Sequence, residues 1–154
     1  MPQISALVEA RGHRLPQVKQ GATSFLLYRM VGSVLHISGQ IAQWEGSRPH
    51  LGRLGAEIAT PDGIKAAELC ALNILAWLSQ ATKDDADRVD CCLRLGGFVA
   101  STPEFTEQSQ VISGASNLIV DVFGERGRHT RTAVGVASLP FGVAVEIDAQ
   151  FVLR

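Results

Sequence analysis

The sequence predicts an α+β fold: a single domain over residues 1–154, in which an antiparallel or mixed sheet carries two helices on one face. Three observations predict it. In Val143–Leu153 the residues Val143, Val145, Ile147, Ala149, Phe151 and Leu153 fall on one side. Ala144, Glu146, Asp148, Gln150 and Val152 fall on the other, as in a half-buried strand. Residues 60–80 instead repeat apolar side chains at helical spacing. The remaining runs complete an order of strand-strand-helix, then strand-helix-strand-strand, a doubled α+β plan.

Taken in order, residues 3–11 suit a short helix with Ile4, Leu7 and Val8 as its stripe, inside an N-terminal extension of residues 1–19. Ser24–Val31 and Val34–Ser38 read as two strands joined by the tight turn Gly32-Ser33. Residues 39–55 read as loop, with a short extended piece near 40–43. Thr60 is expected to cap the long helix, with Pro61 in its first turn and Asp62 complementing the dipole. Residues 88–101 read as a strand in which Gly96-Gly97 marks a bulge or a close backbone approach. A second helix is expected from about Thr106 to Gly124. Residues 131–153 then read as a hairpin of two strands about a turn at Leu139-Pro140-Phe141-Gly142.

Composition narrows the function classes. Hydrophobic residues make up 46% and charged residues 19%, which is the balance of a folded soluble chain. With 14 Lys+Arg against 15 Asp+Glu, no broad basic surface for nucleic acid is expected. No apolar run approaches the roughly 18 residues of a membrane span, and the first residues lack the order of a signal peptide. Three cysteines, two of them adjacent at 91 and 92, form no disulfide framework, so a reducing cytoplasm is expected. Two helices on one face leave the other bare, and apolar residues occur on both faces of several strands. That predicts a homo-oligomer with the open face buried between copies.

Motifs for a cofactor are absent: no GxGxxG joins a strand to a helix, the four histidines have no ligand spacing, and Cys91-Cys92 is no CxxC. Cys70 and at least one of Cys91 and Cys92 are expected in the core. There is no GxSxG, so Ser38 is read as structural or ligand-contacting rather than nucleophilic. Among the basic residues near the final strands, Arg126 and Arg128 read as a solvated loop. Arg131 begins a strand, where an arginine calls for an anion.

Ser38-Gly39-Gln40-Ile41, Arg131-Thr132-Ala133-Val134, Leu139-Pro140 and Val145-Glu146-Ile147 together resemble the Rid (YjgF/YER057c/UK114) family of reactive intermediate deaminases. The segments AAELCALNILAWL and GFVASTPEFTEQSQVISGASNLIVDVFGERGRHTRTAVGVASLP resemble its longer bacterial branch, labelled endoribonuclease. The resemblance covers residues 20–154. It implies a chorismate-mutase-like fold, a homotrimer with clefts between adjacent copies, and hydrolysis of 2-enamine or 2-imine acids to 2-keto acids and ammonia. It also implies no metal and no organic cofactor. Arg131 matches the arginine that binds the substrate carboxylate, and Glu146 the acid near the substrate nitrogen or the water. Phe25, Ser38, Gly39 and Ser113 match positions around the substrate. Phe25 departs from the tyrosine of many active members, Ser113 falls near a position often held by asparagine, and Ala133 replaces the cysteine of some relatives. Two other readings stand beside the deaminase: a protein that binds a small carboxylic acid without turning it over, and the ribonuclease of the branch label.

Overall fold

The computed structural model describes residues 1–154, as five strands and three α-helices around one core. Helix α1 spans Ile4–Glu9, strands β1 and β2 span Tyr28–Val31 and Val34–Ile41, and helix α2 spans Thr60–Thr82. Strand β3 covers Val89–Ala100, helix α3 covers Gln108–Phe123, and β4 and β5 cover Thr130–Val136 and Val145–Leu153. The sheet order is β1-β2-β5-β3-β4, with β3 and β4 parallel and every other pair antiparallel. The sheet is therefore mixed, with α2 and α3 packed on one face, as the sequence predicts.

The last two strands correct one expectation. They do not form a hairpin, because β3 lies between them and pairs with both. Helix α3 carries the chain from the end of β3 back to the start of β4, the crossover that a parallel pair requires. A period-two pattern reports which face of a strand is buried and not which strand is its neighbour.

The predicted face of β5 holds along its length: Val145, Ile147, Ala149, Phe151 and Leu153 are buried, while the residues between them are half-exposed. These side chains meet Ala67, Ala71, Ile74 and Leu78 of α2, and Ile112, Ala115 and Ile119 of α3, in one cluster of 33 buried residues. Phe151 packs edge-on to Phe123 at 6.4 Å between ring centroids. Phe151→Ala would cost about 3–5 kcal/mol, the usual range for emptying such a position.

Smaller differences have local causes. Ala59, not Thr60, caps α2, and the Thr60 hydroxyl instead donates to Glu107 just before α3, at 2.7 Å. Strand β1 starts at Tyr28 rather than Ser24, because Gln20 and Ser38 hold the preceding backbone through side-chain bonds. Gly96-Gly97 is no bulge; β3 runs straight through it, and a β-carbon on Gly97 would sit 2.6 Å from Ile112 of α3. Close helix-on-strand approach is what this glycine permits. Cys70 and Cys92 are buried and Cys91 is half-exposed. Helix α1 packs against α2 and α3, so the N-terminal helix adds to the helical layer and leaves the opposite sheet face open.

Candidate functional site

Strand periodicity puts Arg131 and Glu146 on opposite faces of the sheet. In the parallel register Arg131 stands beside Leu95, which is fully buried under the helices. Glu146 stands beside Phe98 on one side and Ile41 on the other, in the row that also holds Val134 of β4. Arg131 and Val134 are three residues apart on one strand, so they point to opposite faces. The predicted site residues accordingly divide into two groups, Arg131 with Ser113, and Glu146 with Ser38 and Gly39.

The arginine group is built by α3. Ser109, Ser113 and Ser116 recur at three- and four-residue spacing, so they form a ridge facing β4. Arg131 Nη1 donates to Ser113 Oγ at 3.3 Å and to Ser116 Oγ at 3.1 Å. Its Nη2 donates to the Ser109 carbonyl at 3.0 Å and to Ser109 Oγ at 2.6 Å. No carboxylate is among these partners, so the guanidinium is fixed in place while its charge stays uncompensated. A carboxylate arriving here forms charge-assisted bonds about twice as strong as those to neutral hydroxyls.

His129 extends this group. Its Nδ1 lies 2.7 Å from the Gly127 carbonyl and its Nε2 lies 2.9 Å from Ser116 Oγ. A carbonyl only accepts, so Nδ1 carries the proton and the neutral ring's Nε2 accepts from the Ser116 hydroxyl. That leaves the Ser116 lone pairs facing Arg131. Burial lowers the His129 pKa, the bond to Gly127 opposes the shift, and the nearby Arg131 charge lowers it further. The neutral ring is therefore the resting form.

The glutamate group is built by an irregularity in β2. The β2–β5 register shifts between Ile37 and Gln40, which leaves Ser38 and Gly39 without partners in the ladder. Trp77 Nε1 donates to Gln40 Oε1 at 3.1 Å, and Gln40 Nε2 donates to the Ser38 carbonyl at 2.9 Å, so α2 braces this bulge. The Ser38 hydroxyl donates to the Leu26 carbonyl at 2.6 Å and fastens the segment that presents Phe25. Phe25 itself is 57% exposed. Glu146 lies over Gly39, close enough that a β-carbon there would clash with its carboxylate. Burial raises the Glu146 pKa, and Asp148 two residues along the same face adds to the shift. A carboxylate held this way is a stronger base than a solvated one.

Sequence reasoning missed Ser109, Ser116, Gln40, Trp77 and the role of His129. The three serines at positions 109, 113 and 116 were a visible signal, since their spacing places them on one helix face. Of the two arginines read as solvated, Arg128 pairs with exposed Glu125, whereas Arg126 donates to the carbonyls of Ala86 and Val89 and ties the loop to β3.

The family model described as "YjgF/chorismate mutase-like, putative endoribonuclease" matches residues 4–147. The chain belongs to this YjgF family. A curated Trypanosoma cruzi relative, Protein TCP17, is 45% identical over 148 residues, covering 96% of this chain and 92% of its own. The Agrobacterium tumefaciens protein Atu1372, whose crystal structure is described as of unknown function, is 42% identical with a TM-score of 0.91. That match covers 98% of this chain and 93% of the other. A Shewanella oneidensis protein described as a putative endoribonuclease is 30% identical with a TM-score of 0.92, covering 98% and 99% of the two chains. The two crystal structures share the fold across nearly the whole chain. No helix of the protein is long and apolar enough to cross a membrane.

Proposed function

We propose that this YjgF-family chain is a hydrolytic deaminase of 2-imino and 2-enamine carboxylic acids, working in a cleft that two copies of the chain form together within a homotrimer. The observation that carries the reading is the division of the site. Arg131 and Glu146 occupy opposite faces of one sheet, each in a prearranged setting, so they can meet one small substrate only if the two come from different copies. The bare face of the sheet supplies a surface for that contact, with Val31 and Val134 each at least 40% exposed.

In the reaction, Arg131 holds the carboxylate and thereby fixes C2 of the imine. Glu146 takes a proton from water as its oxygen bonds to C2 and the carbon–nitrogen double bond becomes single. The same carboxyl returns that proton to nitrogen, giving a carbinolamine. It then takes the hydroxyl proton and passes it to the amino nitrogen as the C–N bond breaks, so ammonia leaves and C2 becomes a carbonyl. Imine plus water gives 2-keto acid plus ammonia. Such imines hydrolyse unaided, so only a modest part of the barrier need be removed, and these two side chains suffice.

The test is complementation. Imines are generated in solution by an amino-acid oxidase, and 2-keto acid release is followed with each protein. Arg131→Ala and Glu146→Gln should each remove the acceleration over buffer. Unfolding and refolding the two variants together should restore roughly a quarter of wild-type activity, the share of clefts that draw both intact residues from different copies. No acceleration by the wild-type chain with any amino acid would refute the activity, and inactive mixtures of active-size oligomers would refute the shared cleft.

A further inference from the structure

A cavity of about 330 Å³ opens on the uncovered face of the sheet beside the glutamate group. Arg29 of β1, His36 of β2, Arg94 of β3 and Gln150 of β5 line it, together with Asp148 and with Gly39, the residue under Glu146. It therefore continues directly from the place where the imine carbon would be hydrolysed.

Its charges do not cancel. Arg94 Nη1 lies 3.6 Å from Asp148 Oδ1, and its Nη2 donates to Thr132 Oγ1 at 3.3 Å. Gly96 beneath them keeps this arrangement open, since a β-carbon there would come within 2.9 Å of Arg94 Nη1. Arg29 takes part in none of the five ion pairs of the molecule. His36 is occupied with Gln150 at 3.3 Å rather than with an acid. Two guanidinium groups thus line a cavity that holds one carboxylate. Only Arg94 lies within ion-pair distance of it, while Arg29 stands on β1, three strands away in the sheet. A neutral or apolar side chain entering this space would displace water from exposed Arg29 without giving it a counterion, whereas a second carboxylate would supply one.

We infer that the cavity is a subsite for an anionic substrate side chain, so that imino dicarboxylic acids are the preferred substrates. The inference rests on the deaminase reading for the reaction but not for the binding. Arg29 is the discriminating residue and Arg94, already half-paired, contributes less. A polar site built for one group rejects analogues that lack it far more strongly than an apolar pocket rejects a missing methylene.

The experiment has two arms. In the first, rates of keto-acid release are compared for imines generated from glutamate and aspartate and from alanine and leucine. The acidic substrates should lead by about tenfold or more in kcat/KM. Arg29→Met should collapse that ratio, Arg29→Lys should restore part of it, and Arg11→Met, on the exposed turn after α1, should leave it alone. Equal rates, or a ratio that Arg29→Met does not move, would overturn the subsite. In the second arm, calorimetry compares 2-oxoglutarate with 2-oxobutanoate. Tighter binding of 2-oxoglutarate that Arg29→Met abolishes would uphold the subsite even if no imine is hydrolysed, in which case only the deaminase reading falls. Equal binding of the two acids would overturn the subsite whatever the turnover.

Discussion

Glu146 rests against Gly39: a β-carbon on that glycine would lie 2.9 Å from the Glu146 carboxyl carbon and closer still to Oε2. The obstacle is the far end of a flexible side chain and not backbone, so it can move at little cost. Gly39→Ala should therefore fold normally, with a melting temperature near wild type, while its displaced carboxylate lowers kcat by about ten- to a hundredfold, as small misplacements of a catalytic group do. Circular dichroism and keto-acid release check the two halves. A variant that is fully active would show that Glu146 needs no fixed position.

Glu146 also sets a pH dependence. Its folded pKa is raised, chiefly by burial and then by Asp148, so the fold binds its proton more tightly than the unfolded chain does. The associated stability is present below the ordinary carboxylate pKa and is lost as pH rises through the raised value. At neutral pH the ionised side chain is thus a liability that the proposed reaction requires. Glu146→Gln should raise the melting temperature at pH 7, the gain should vanish near pH 4, and activity should fall about 10²–10⁴-fold. The acid limb of wild-type kcat/KM should lie above the usual carboxylate range. Thermal scans at both pH values and a pH–rate profile test this.

Ser116 and His129 position Arg131 without reaching the substrate themselves. Ser116→Ala removes one acceptor from the guanidinium and the partner of His129, so KM should rise about fivefold with kcat nearly unchanged. His129→Phe should act alike, and the double variant should be little worse than the worse single one, because both act through the same bond. The folded pKa of His129 is lowered, so the stability it contributes is present above the ordinary histidine value and lost as pH falls through the lowered one. Protonation would place an imidazolium among Arg128 and Arg131, with no carboxylate among its bonding partners. KM should climb below the ordinary histidine range in the wild type, and this climb should be absent in His129→Phe.

Phe25 is aligned by the family resemblance with the tyrosine of many active members. It is 57% exposed and packs on little, so Phe25→Tyr should leave the melting temperature unchanged. If a hydroxyl at this position assists the reaction, kcat/KM for small imino acids should rise severalfold, the worth of about one hydrogen bond. An unchanged rate would show that Ser38, Gly39 and Glu146 suffice on this side of the cleft.

Much of the fold was legible because it is written in local patterns. The buried face of β5 follows from alternation alone, and α2 from its spacing and its Pro61-Asp62 start. The pairing of β4 was not legible, because a strand's period records burial and carries no address for its neighbour. At the candidate site, Arg131 and Glu146 were singled out through family motifs. Their separation onto two faces emerges only from register, in which Arg131 meets Leu95 and Glu146 meets Phe98. The serine ridge was available in principle from the spacing of Ser109, Ser113 and Ser116. The excess cation at Arg29 was not, since it depends on four strands meeting around one cavity.

The place of β5 in the sheet has a consequence for how the chain comes together. The last strand in sequence is the middle strand in space, inserted between β2 and β3. Until it emerges during synthesis, the β1–β2 and β3–β4 pairs are separate pieces of sheet, each with an unpaired edge, linked through α2, which packs on both β2 and α3. Every contact that joins them spans a large stretch of sequence, which favours slow, late, all-or-none closure. Shortening the chain by the nine residues of β5 should therefore yield aggregation rather than a smaller stable domain.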